Sequence, residues 1–175
     1  MDYTRRSGYP VPRVLEVRPG ALVLDRVEGP TMLDVLLRQP WTLRRNAYLL
    51  AELHKQLHEI SGPPTLPAAG AGDRLLHLDL HPGNVMLSPD GPIVIDWSNA
   101  RRGEPALDTA LTWLIIATSG GGGLRPRLFL HWFLSRFERD GLVRALPAAA
   151  ERRVADPHVS DPERRAVRRF LEGVG

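Results

Sequence analysis

No cysteine occurs among the 175 residues, so neither a disulfide nor a thiolate-held metal can support this chain. That absence fits a reducing compartment, and the expected placement is cytoplasmic. Lysine is nearly missing as well: of 23 basic residues, Lys55 alone is a lysine. Long apolar runs are also absent. The longest stretch, Leu107 to Ala117, is interrupted by Asp108, Thr109 and Thr112 and falls short of the roughly 20 residues that cross a bilayer. Met1–Arg6 leads into no apolar signal segment, so no membrane is expected as a partner.

The net charge of +3 and the pI near 9.9 invite a nucleic-acid reading. The arginines, however, are interleaved with acids, and the abundance of Arg, Ala, Pro and Gly is the bias of a GC-rich coding sequence. A solvated mixed-charge surface explains that pattern, and no nucleic acid is expected as a partner.

What is present is a chain that is 43% hydrophobic, enough to bury a real core in one domain. Thr31 with Asp34 reads as the N-cap of a short helix ending near Pro40. Leu43, Ala47, Leu50, Leu53, Leu57 and Ile60 recur at spacings of four and three, which predicts an amphipathic helix over 43–60. Ser61 to Asp73 is rich in Pro, Gly and Ala and reads as a mobile loop. Pro105 opens a buried helix to about Thr118, which Gly120–Gly123 breaks. A further helix is expected over 125–140 with Leu128, Trp132, Phe133 and Phe137 toward the core, and Ser160 with Glu163 caps a last one to about Glu172.

The densest chemistry lies in His77-Leu78-Asp79-Leu80-His81-Pro82-Gly83-Asn84, followed by Ile93-Val94-Ile95-Asp96-Trp97. Leu75 and Leu76 read as a short strand, Pro82 and Gly83 as a tight loop. Val85–Leu87 and Ile93–Ile95 read as a hairpin joined at Ser88–Pro92. Such a hairpin brings Asp96 back toward Asn84. An Asp, an Asn five residues on and a second Asp twelve beyond that suit phosphoryl transfer: one carboxylate for the acceptor hydroxyl, two oxygen ligands for a shared Mg²⁺.

These motifs resemble the aminoglycoside phosphotransferase family, small-molecule relatives of the protein kinases. The resemblance implies that Asp79 is the catalytic Asp, that Asn84 and Asp96 hold Mg²⁺, and that His77 is a structural residue opening the loop. It places His81 where protein kinases keep a Lys, within reach of the transferring phosphate. Tyr9–Val14 and Ala21–Gly29 are similar to the strand pair that leads to the interlobe hinge, where the Asp25 C=O and the Val27 N–H would pair with adenine. Leu49–His54 resembles the helix before the catalytic loop, and Gly103–Asp108 the segment after the metal site, where Asp108 would brace the loop.

Two positions depart from the family. Leu78 stands where the family usually has Gly. Before the hinge there is neither a glycine-rich phosphate loop nor a Lys, and Lys55 lies after the hinge. The expected architecture is therefore α+β: a protein-kinase-like C-terminal lobe, mostly helical with short β-hairpins, over residues 30–175, preceded by an N-lobe remnant and hinge over residues 1–29. An N-terminal truncation is the expectation.

Two functions follow. One is transfer of the γ-phosphoryl group of ATP or GTP, with Mg²⁺, to a hydroxyl of a small substrate. The alternative is a pseudokinase-like binding or interaction module. His54 and His58 share a helix face, but no third ligand accompanies them in sequence, so they read as surface or packing residues. From Leu124 onward, eleven arginines face seven acids, which disfavours a polycationic acceptor and favours a neutral or anionic one.

Overall fold

A computed structural model describes residues 1–119 and 123–173. Thirteen elements follow one another: helix α1 (Asp2–Arg6), strands β1 (Val14–Arg18) and β2 (Ala21–Leu24), helices α2 (Met32–Arg38) and α3 (Leu43–His58), strands β3 (Arg74–Leu76), β4 (Val85–Ser88), β5 (Gly91–Val94) and β6 (Arg101–Gly103), and helices α4 (Pro105–Ser119), α5 (Leu124–Leu134), α6 (Arg139–Ala155) and α7 (Asp161–Glu172). The strands form three antiparallel pairs, β1 with β2, β3 with β6 and β4 with β5. The result is the mostly helical lobe with short strand pairs that the sequence implies.

Local chemistry fixes the helix ends. Thr31 Oγ1 accepts the Asp34 N–H at 3.0 Å while the Asp34 carboxylate accepts the Thr31 N–H at 3.2 Å, a reciprocal capping box. The Glu138 carboxylate accepts the Asp140 and Gly141 N–H groups at 2.9 and 2.7 Å and so starts α6. Ser160 caps α7, whose second residue is Pro162.

The core is helical. α3 contributes Ala47, Leu50, Leu53 and Leu57, α4 contributes Ala110, Leu111 and Leu114, and α5 and α6 close around them with Phe133, Leu142 and Leu146, all buried. β3 lies in this core, with Leu75 and Leu76 buried and the Leu75 N–H bonded to the Ile60 carbonyl at 2.8 Å. The segment 77–84 leaves β3 directly into the middle of the lobe.

Three expectations need correction. The helix expected over 125–140 ends at Leu134, and a second begins at Arg139. Gly141 and Pro147 disguise α6, because both residues ordinarily break a helix. α5 buries Phe129, Leu130 and Phe133, and Trp132 and Phe137 pack half-buried against the core as expected, whereas Leu128 is exposed. Residues 61–73 are stitched down: the Gly62 N–H bonds to the Asp73 carbonyl at 2.7 Å and Ala69 N–H to the Arg102 carbonyl at 2.8 Å. Of the four-glycine segment, Gly120–Gly122 lie outside the described residues and Gly123 is the N-cap of α5.

Candidate active site

The loop after β3 is held by a buried carboxylate. Asp108, in the first turn of α4 and fully buried, accepts the Leu78 N–H on Oδ1 at 2.7 Å and the His77 N–H on Oδ2 at 3.1 Å. His58 Nε2–H donates to the same Oδ2 at 3.0 Å. Burial is the largest influence on Asp108 and opposes its ionisation, but the hydrogen bond from His58, with the neighbouring histidines, holds its pKa below the usual carboxylate range.

His54 and His58 are thus not independent surface residues. His54 is fully buried. Thr112 Oγ1 lies 2.7 Å from the Leu80 carbonyl, its nearest acceptor, and so donates its proton there. His54 Nε2–H then donates to Thr112 Oγ1 at 3.0 Å, which leaves Nδ1 bare, without a hydrogen bond among the described residues and 3.9 Å from Asp108 Oδ2. Burial lowers the His54 pKa from 6.5 to about 3. Asp108, some fifty residues away in sequence, is the third group that the spacing of the two histidines could not supply.

His77 joins the two halves of the site. Its Nδ1 accepts the Asp79 N–H at 3.2 Å, so Nε2 carries the proton and donates to the Ile95 carbonyl at 3.0 Å. Burial lowers its pKa, in keeping with this neutral tautomer. One ring therefore links the backbone of Asp79 to the residue before Asp96, and the Trp97 indole lies against it with ring centroids 4.8 Å apart.

Asn84 completes the link. Its Nδ2 donates to the Asp79 carbonyl at 2.8 Å and to Asp79 Oδ2 at 3.1 Å, and its own carbonyl accepts the Ile95 N–H at 3.0 Å. The β4–β5 register, Val85 opposite Val94, makes that last bond possible. Asp79, Asn84 and the backbone leading to Asp96 are thereby brought together. Among the described residues no hydrogen bond reaches Asn84 Oδ1. Asp96 is exposed, and its Oδ1 accepts Ser98 Oγ–H at 2.7 Å. Two hard oxygen donors with free lone pairs fit a Mg²⁺ ion.

Two non-glycine residues have positive φ among the described residues, Leu78 at 61° and Asp96 at 59°. Both belong to this site, one beside the first carboxylate and one bearing the second. Asp tolerates the left-handed region, whereas Leu is strained there. The place the family gives to Gly is a place where the backbone turns left.

Asp79 Oδ1 is buried and without a hydrogen bond among the described residues. Two cationic or potentially cationic groups face it: Arg153 Nη1 at 3.6 Å and His81 Nε2 at 3.8 Å. The other His81 nitrogen, Nδ1, accepts the Gly83 N–H at 3.0 Å, so the ring is turned toward Asp79. Arg153 is the residue that the sequence reading missed. It sits on α6, the helix hidden by Gly141 and Pro147, and nothing in its local pattern points to a site 74 residues upstream.

Asp25 and Val27, expected at the hinge, lie between β2 and α2. Asp25 is tied to Arg13 through its N–H at 2.9 Å and its carboxylate at 3.0 Å. Among the described residues neither the Asp25 C=O nor the Val27 N–H has a hydrogen-bond partner. Gly29, at φ +121°, crosses so close to β4 that a Cβ would meet the Leu87 carbonyl oxygen, and the Leu87 N–H bonds to the Pro30 carbonyl at 2.9 Å. Glycine is thus required where the chain before α2 crosses the β4–β5 hairpin.

A helical lobe whose 77–84 loop is clamped by a helix-borne Asp and followed by a hairpin ending in a second Asp has the protein-kinase-like fold. Solved structures agree on that fold. An aminoglycoside-3'-phosphotransferase of type VIII aligns with a TM-score of 0.54 at 18% identity, covering 99% of this chain and 77% of that one. A choline/ethanolamine kinase family protein from Mesorhizobium loti aligns with a TM-score of 0.56 at 13% identity, covering 98% and 75%.

In sequence, residues 71–147 match the model of the phosphotransferase enzyme family APH, which carries the resemblance drawn from the catalytic loop. Thiamine kinases of Salmonella paratyphi B and Salmonella newport are each 36% identical over 86 residues, 47% of this chain and 29% of the relative. The chain thus spans less than a third of the curated relatives it matches. Among the described residues no helix is long and apolar enough to cross a membrane.

Proposed function

We propose that this chain is the catalytic-lobe portion of a small-molecule phosphotransferase that uses ATP or GTP with Mg²⁺. The observation that carries the reading is the single hydrogen-bonded unit formed by His77, Asn84 and the Ile95 backbone, which holds Asp79 beside Asn84 and the approach to Asp96. In this role Asp79 accepts the proton of the acceptor hydroxyl as its oxygen bonds to the γ-phosphorus and the bond to the β-phosphate oxygen breaks. Asn84 Oδ1 and the Asp96 carboxylate hold the Mg²⁺, which when bound neutralises charge on the phosphates. His77 and Asp108 support the loop, and His81 stands within reach of the transferred group.

Residues 1–29 serve as an N-lobe remnant and hinge and residues 30–175 as the helical lobe with the catalytic loop and metal site. The unpaired Asp25 C=O and Val27 N–H supply the acceptor and donor that an adenine edge requires. A second reading, a nucleotide-binding module without catalysis, is favoured by one feature: the sole lysine, Lys55 on α3, has its ammonium 5.9 Å from the centre of the Phe137 ring.

The test is a thermal-shift titration with MgATP, MgGTP and metal-free nucleotide. Stabilisation by a magnesium nucleotide that survives Asp79→Asn and is lost in Asp96→Asn supports the site. Absence of a shift with every nucleotide rejects it. Phosphoryl transfer abolished by Asp79→Asn separates the enzyme from the binding module, and a fully active Asp79→Asn protein removes Asp79 as the base.

A further inference from the structure

A cavity of about 780 Å³ opens beside the candidate catalytic loop, with Leu78, Ser98, Arg101, Arg152 and Arg153 in its wall. Its lining residues adjoin both carboxylates of the site. Leu78 precedes Asp79, Arg153 lies 3.6 Å from Asp79 Oδ1, and Ser98 donates to Asp96 at 2.7 Å. Its volume suits a ligand of drug or metabolite size.

The arginines in this wall are not alike. Arg153 is committed to acids: Nε and Nη2 both donate to Glu163 Oε1 at 2.9 and 2.7 Å, and Nη1 approaches Asp79 and Asp156. Arg101 and Arg152 have no carboxylate within 4.0 Å among the described residues. Arg101 donates only to the adjacent Ala100 carbonyl. Both line the same cavity. Burial, and after it the charge of Arg101, pull the Arg152 pKa below its ordinary value, against a smaller opposing pull from Asp108.

Two acids also reach the wall, Glu151 and Asp156. Glu151 is exposed, and Asp156 is occupied by the His158 N–H at 2.8 Å and by Arg153. Two guanidinium groups without a salt-bridge partner among the described residues, in one half-buried wall, make a site for a bidentate anion.

We infer that the acceptor of this site is a hydroxyl compound bearing a carboxylate or phosphate group, which Arg101 and Arg152 bind while the hydroxyl is presented to Asp79. The inference rests on the phosphotransferase reading for the hydroxyl end only. The anion end stands on the cavity and the two free arginines.

A matched series isolates the charge: glucose, gluconate, glucose 6-phosphate and glucosamine, titrated calorimetrically at low salt against the intact chain, Arg101→Gln, Arg152→Gln and the exposed control Arg168→Gln. Gluconate or glucose 6-phosphate should bind at least ~10-fold tighter than glucose and glucosamine, with most of that preference lost in either pocket variant and kept in the control. Unchanged unliganded melting temperatures and an unchanged MgATP shift would show that both variants remain folded.

Equal binding of all four compounds, or an anion preference indifferent to both substitutions, overturns the inference while a persisting MgATP shift leaves the phosphotransferase reading intact. Loss of MgATP stabilisation in the arginine variants also overturns it, by assigning the pair to the nucleotide. An anion preference in a protein that no nucleotide stabilises supports the anion site and rejects the phosphotransferase reading alone.

Discussion

The left-handed backbone at Leu78 sets two opposing costs against each other. Its φ of 61° strains a branched side chain by about 1–2 kcal/mol, yet the same side chain is only 2% exposed, and deleting a buried Leu costs about 2–5 kcal/mol. Burial wins, so Leu78→Gly should lower stability by about 2 kcal/mol in urea unfolding, even though it installs the residue the turn prefers. A stabilised variant would show that the pocket around Leu78 collapses freely. His54 makes a different prediction. Unfolded, it takes a proton near pH 6.5, and folded only near about 3, so the unfolded state binds more protons in between. Its contribution to stability is complete above pH 6.5 and is lost as pH falls toward 3, at up to about 1.4 kcal/mol per pH unit. His54→Gln, which can still donate to Thr112, should flatten that part of the stability-against-pH curve, and an unchanged slope would exclude His54 as its source.

Among the elements, those with local signals were legible and those defined by distant partners were not. α2 was readable because Thr31 and Asp34 cap it within one turn, and α3 because its apolar stripe repeats over sixteen residues. The loop-and-hairpin order was readable because Pro82, Gly83 and the two apolar runs each have short-range meanings. α6 was not, since Gly141 and Pro147 contradict a helix locally while burial of Leu142, Leu146, Ala149 and Ala150 overrides them. With α6 hidden, Arg153 and the arginine-lined cavity were hidden too, whereas the His58–Asp108 bond was hidden by the fifty residues between its partners. Removing the Thr31 cap tests the readable part: Thr31→Ala should cost about 1 kcal/mol. Because Thr31 also bridges to Met86 on β4, the loss should be accompanied by faster amide exchange at Leu87. A cost near zero would mean that tertiary packing alone holds the start of α2.

Taken as a whole, the molecule is uneven in how firmly its parts are held. α3, α4 and β3 bury nearly every apolar side chain they carry toward the centre, and Phe133 fills the gap between α3 and α5 with no exposure at all. Truncating it, Phe133→Ala, should cost about 3–5 kcal/mol. The β1–β2 hairpin is the opposite case. Leu15, Val17 and Leu22 are 50%, 73% and 56% exposed, and a two-stranded hairpin with no buried face is marginal in water. Local opening there exposes little additional apolar surface, so its free energy lies far below that of global unfolding. Amides of Glu16 to Leu24 should therefore exchange within the fastest class by hydrogen exchange, while those of Leu50 to Leu57 and Leu111 to Leu114 exchange only with global unfolding. Leu22→Asn should accordingly shift the global transition by less than about 0.5 kcal/mol. Protection of the hairpin equal to that of α3 would show that β1 and β2 are part of the cooperative lobe. In that case Asp25 and Val27 would be as rigid as the 77–84 loop, and the unevenness would not exist.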